Sequence, residues 1–99
     1  MKKIRLAPPG ELLLKEFIKP HGLTVYRVAK DAGIPQSTLQ LAVTGKRPIS
    51  AEMALRLGVF FGIDAQFWLN LQTEYDLRLA AEKKLDRIER EVRPLAKAA

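Results

Sequence analysis

The sequence contains no cysteine among its 99 residues. That excludes disulfides, thiolate zinc sites and cysteine nucleophiles together, and it suits a reducing cytosol. Histidine is almost as scarce: His21 stands alone, and without a second ligand nearby it fits a loop or helix cap rather than a metal or catalytic site. Long apolar runs are missing. The longest, Leu57 to Ile63, is far below the roughly 20 residues that span a bilayer. Met1, Lys2 and Lys3 begin like the basic end of a signal peptide, but Pro8, Pro9, Glu11 and Lys15 interrupt any apolar segment after them. A soluble cytoplasmic protein is expected. Nucleotide-binding G-x-x-x-x-G-K-S/T loops, G-x-S-x-G elbows and H-E-x-x-H pairs are also lacking. The carboxylate pairs Glu74 and Asp76, and Glu89 and Glu91, stand two residues apart, which on a helix points them away from each other. This inventory offers no catalytic residue, no cofactor site and no metal site, so an enzyme is not expected.

What is present begins with charge. The net charge of +6 is unevenly placed: residues 1–50 hold nine Lys or Arg against three Asp or Glu, and residues 51–99 hold eight against eight. A basic half is the electrostatic footprint of phosphate contact. A solubilising surface or attraction to anionic lipid answers to the same charge, and only coincidence with a DNA-reading motif separates them.

That motif lies at about residues 24–44. Thr24 is a good N-cap, Val25, Val28, Ala29 and Ala32 recur at helical spacing behind it, and Gly33 supplies a turn. Pro35 stands where a second helix begins. On that helix Leu39, Ala42 and Val43 fall on one side, and Gln36, Ser37, Gln40, Leu41 and Thr44 on the other. Gly45 closes it, with Lys46 and Arg47 next. The pattern is that of a helix-turn-helix whose second helix enters the major groove.

Around this unit the spacing predicts three further helices. The first runs from about Gly10 to Ile18 with Leu13, Leu14, Phe17 and Ile18 as its apolar stripe, stopped by Pro20. Ser50 caps a fourth helix carrying Met53, Ala54, Leu57, Phe60 and Phe61, ended by Gly62. Asp64 caps a fifth in which Phe67, Leu71 and Tyr75 repeat every four residues as the sealing face, with Trp68 and Leu69 off that line. Residues 1–81 form the domain, and residues 82–99 a charged helical extension or tail. Within 81–95, Ala81, Leu85, Ile88, Val92 and Leu95 follow the seam spacing of a short coiled coil. A solvated helix or disordered tail fits the same composition.

Chemistry assigns roles to the outward residues. Glutamine amides pair bidentately with adenine, so Gln36 and Gln40 lead the base-reading set, joined by Ser37, Leu41 and Thr44. Thr24, Tyr26, Arg27, Lys30, Thr38, Lys46 and Arg47 are expected on phosphates, which set register without reading sequence. One recognition helix covers only a half-site, so a homodimer is expected, its interface on Phe67, Trp68, Leu71 and Tyr75 of the fifth helix.

Residues Thr24 to Ile63 resemble the XRE superfamily of phage-repressor and Cro-like helix-turn-helix domains. More specifically, PGELLLKEF at Pro9 to Phe17, TGKRPISAEMALRLGVFFG at Thr44 to Gly62 and FWLNLQTEYDLRLA at Phe67 to Ala80 resemble the HigA-type antitoxins of HigBA toxin-antitoxin modules. The resemblance implies an all-α, five-helix lambda-repressor-like bundle with an extended C-terminal helix. It also implies two partners, a RelE-like mRNA-cleaving toxin of the HigB type and double-stranded operator DNA through which the protein represses its own operon. Pro8 departs from the family's usual His, Thr44 from its usual Asn, and Leu41-Ala42 from a polar-then-aliphatic pair, so no particular operator sequence carries over. A solitary XRE-family regulator without a toxin, and a protein-interaction module built on the last helix, are the competing readings.

Overall fold

The computed structural model describes residues 6–96; Met1 to Arg5 of the basic arm lie outside the described residues. Helix α1 starts with Pro9 at its first position and spans Pro9–Leu12, then continues at wider, π-helical pitch through Leu13–Ile18. The wider pitch shows in the Lys19 N–H to Leu14 O bond of 2.9 Å. His21 closes this helix, its ring Nδ1 lying 2.6 Å from Phe17 O.

Helix α2, Val25–Ala32, is capped by Thr24, whose Oγ1 accepts the Arg27 N–H at 3.1 Å. Gly33 turns the chain at φ 71°, where a side chain would be strained. Helix α3, Gln36–Val43, follows with Pro35 as its N-cap, one residue before the position expected for that proline inside the helix. Ser50 caps α4, Ala51–Phe61, accepting the Met53 N–H at 3.2 Å. Asp64 caps α5, Ala65–Glu91, accepting the Gln66 N–H at 3.1 Å. The five helices of the expected all-α bundle are therefore present, and no strand occurs among the described residues.

The core collects one or more apolar residues from every helix: Leu13, Ile18, Val28, Leu39, Leu57 and Trp68 are fully enclosed. Aromatic rings join α1 to the ends of α4 and α5, with Phe17 edge-on to Trp68 at 4.8 Å and to Phe61 at 5.7 Å. One expectation fails here. The line of α5 that faces the core is Trp68 and Gln72, one turn apart, while Phe67 is 39% exposed and Leu71 and Tyr75 are half-buried. Trp68 is 0% exposed, so it belongs to the protomer's own core and is not available to a dimer surface. A polar Gln in the inward line broke the apolar period, which shifted the expected stripe onto its neighbours.

Helix α5 outruns the bundle. Its last half-buried residue is Ala81, and every described residue from Glu82 onward is exposed. The 17.1 Å radius of gyration exceeds the roughly 13 Å of a compact chain this long. The helix continues unbroken across residues 81 and 82, so the end of burial, not a break in the backbone, marks that point.

Candidate nucleic-acid interface

Burial divides α3 sharply. Leu39, Ala42 and Val43 lie against the core, while Gln36, Ser37, Gln40 and Leu41 are exposed along the opposite side. The packing behind the helix explains its fixed rotation. Gly10 of α1 is buried so closely against the end of α3 that a Cβ there would come within 1.6 Å of Ala42 O. Arg56 of α4 holds the turn before α3, its Nη1 donating to Ala32 O at 3.4 Å.

The end of α3 leads straight into the basic loop. The Thr44 hydroxyl lies 3.0 Å from both Gln40 O and Leu41 O, to which it donates, so its proton is committed to closing the helix and only its oxygen is left to accept. The Lys46 N–H donates to Leu41 O at 2.9 Å. Lys46 and Arg47 are exposed, and neither has a carboxylate partner among the described residues. Other cations differ: Lys15 pairs with Glu11, and Arg56, which lines one depression together with Arg47, pairs with Glu52, each at 3.1 Å. Uncommitted charge beside an outward polar helix is the arrangement that attracts a polyanion.

The remaining phosphate candidates fall into three groups. Tyr26 and Lys30 are exposed on α2. Arg27 is drawn along its own helix to Asp31, with Nε 2.6 Å from Oδ2, and Thr24 is occupied as an N-cap. Thr38 is half-buried and lines one shallow depression with Pro35, Arg47, Ser50 and Arg56. The structure therefore brings Thr38 to Arg47 across the α3–α4 junction, but it leaves Arg27 and Thr24 with local duties. Sequence reasoning overlooked Gln72, whose amide reaches this junction from α5; its place four residues after Trp68 was the available signal. Among the described residues no group of three or more His, Cys, Asp or Glu gathers to hold a metal ion, and no helix is long and apolar enough to cross a membrane.

The helix-turn-helix family model matches residues 14–68, which takes in α2, α3 and α4 whole. A structure of the Pseudomonas aeruginosa antitoxin HigA with the higBA promoter superposes with a TM-score of 0.88 at 39% identity, covering 93% of this chain and all of that one. The chain belongs to the HigA-type helix-turn-helix family. A second structure, the antitoxin GraA in complex with its operator, matches with a TM-score of 0.87 at 35% identity over 98% of each chain. Among curated relatives, virulence-associated protein I of Dichelobacter nodosus is 46% identical over 76 residues, 77% of this chain and 70% of that protein. Both the family and the five-helix fold implied by the three sequence blocks are thereby confirmed.

Proposed function

We propose that this HigA-type protein binds operator DNA as a dimer through α3, represses its own operon, and neutralises a RelE-like toxin of the HigB type encoded beside it. The observation that carries the DNA part is the outward strip of Gln36, Ser37, Gln40 and Leu41 over buried Leu39, Ala42 and Val43, continued by Lys46 and Arg47, which have no carboxylate partner among the described residues. In this reading Gln36 and Gln40 read base edges. Ser37, Leu41 and the Thr44 oxygen assist them, and Tyr26, Lys30, Thr38, Lys46 and Arg47 attend the phosphates, joined by Arg27 once it exchanges Asp31 for a phosphate and by the Thr24 hydroxyl proton, which the N-cap leaves free to donate.

Dimerisation is assigned to the outer side of α5, on Phe67, Leu71 and Tyr75 without Trp68. Family membership, together with the promoter and operator complexes of its two structural relatives, supports the DNA assignment. The toxin assignment rests on that membership alone. The test is co-purification with the product of the neighbouring reading frame, followed by a mobility shift on the upstream DNA. A neighbour that is harmless when expressed alone sinks the antitoxin assignment and leaves a solitary regulator, and no shift at low salt sinks the DNA assignment.

A further inference from the structure

Among the described residues, the amide side chain buried with the core lies outside the helix-turn-helix. Gln72 of α5 is 8% exposed, the single polar side chain counted with the core among the described residues. Its amide oxygen accepts the backbone N–H of Ile49 at 2.8 Å, and its amide nitrogen donates to Asp76 Oδ1 at 2.9 Å, one turn further along α5. Ile49 is 2% exposed and lies between α3 and α4, two residues after Arg47.

The loop backbone is held at its start by Lys46 N–H on Leu41 O and at its end by the Ser50 cap on Met53 N. Pro48 has no N–H to give. The intervening tie is Gln72, across 23 residues of sequence. A buried N–H without a partner is costly, so the loop and this stretch of α5 are held together as one unit.

We infer that Gln72 is a positioning residue for the proposed DNA surface: from α5 it fixes the loop that presents Lys46 and Arg47, so neither cation has to be ordered when it meets a phosphate. Asp76 in turn fixes the orientation of the Gln72 amide, keeping its oxygen toward Ile49. The inference rests on the DNA reading above.

The test compares the full chain with Q72M, Q72E/D76N, K46A/R47A and the triple variant K46A/R47A/Q72M. Q72M keeps bulk and removes both hydrogen bonds. Q72E/D76N keeps net charge, keeps an acceptor for Ile49 and reverses the second hydrogen bond. Each variant is titrated on the duplex upstream of its own coding sequence and on a random duplex, and exchange of the Ile49 amide is followed by NMR. Expected is a folded Q72M with an Ile49 amide exchanging at least about tenfold faster and an affinity about tenfold weaker. Q72M should add no further loss in the K46A/R47A background, and Q72E/D76N should restore both Ile49 protection and affinity. Coupling to Lys46 and Arg47 is what a merely structural role does not produce.

Parent-like affinity in a folded Q72M overturns the inference, as does a loss that persists in full without Lys46 and Arg47. If Q72M does not fold, Q72E/D76N decides: Ile49 protected with binding restored supports the inference, and Ile49 protected with binding still lost overturns it. A parent chain that binds neither duplex at low salt removes the DNA reading and this inference with it, whereas a binding parent beside an unaffected Q72M removes the inference alone.

Discussion

Gly10 has no room for even a methyl group, because the atom that a Cβ would meet is a backbone carbonyl and not a movable side chain. G10A must push α1 away from the end of α3. We expect a cost of about 1–3 kcal/mol, an overpacking penalty, seen as a melting temperature lower by roughly 5–20 °C in a domain of this size. Gln36 and Gln40 predict the opposite behaviour. Both are exposed, so Q36A/Q40A should melt like the parent. In a mobility shift against a scrambled duplex it should lose at least about tenfold in preference for the operator, since each base contact discriminates by about 1–3 kcal/mol. Unchanged preference would place sequence reading elsewhere on the molecule.

Among the elements, α5 departs furthest from its expected role. Trp68 is enclosed by Phe17, Phe61 and Phe67, and W68A should cost about 3–5 kcal/mol, a large share of what holds a small domain folded. Within the protomer F67A removes a ring that is 39% exposed and should cost several times less, any further loss through the proposed dimer surface being recognised by its dependence on protein concentration. Chemical unfolding of the two variants checks the order, and equal losses would contradict the burial pattern. The other elements were legible because their signals are local. Thr24, Ser50 and Asp64 cap their helices through their own side chains, and Gly33 and Gly62 close theirs as expected. The outward and inward sides of α3 could be read from spacing for the same reason. Gln72 and Trp68 were not legible, because a polar residue enters an apolar line only when a distant backbone group, here Ile49 N–H, is waiting for it. Likewise Arg27 and Thr44 looked free in the sequence because their partners, Asp31 and the α3 carbonyls, depend on side-chain direction and not on residue type.

At the scale of the whole molecule, the excess positive charge resides in the half that contains α3. Binding should therefore weaken steeply with salt, and K46A/R47A should reduce the slope of log affinity against log salt by about 2, close to one unit per phosphate contact. A slope unchanged by that double substitution would show that neither cation meets DNA. Light scattering at micromolar concentration is expected to give about twice the 11.1 kDa chain mass. A monomer at that concentration counts against a dimer built on α5.

The same rod has two very different environments along its length. Near Trp68 it is clamped by the core, whereas beyond Ala81 every described residue is exposed, and pairs one turn apart, such as Arg87 and Glu91 at 3.7 Å, lie on its surface. Isolated helical turns are marginal in water, so opening should become easier stepwise toward Glu91, and amide exchange should accelerate in that order. The distal turns should melt and re-form many times for each opening at the root, and a protease should shorten this protein from that end long before it reaches the bundle.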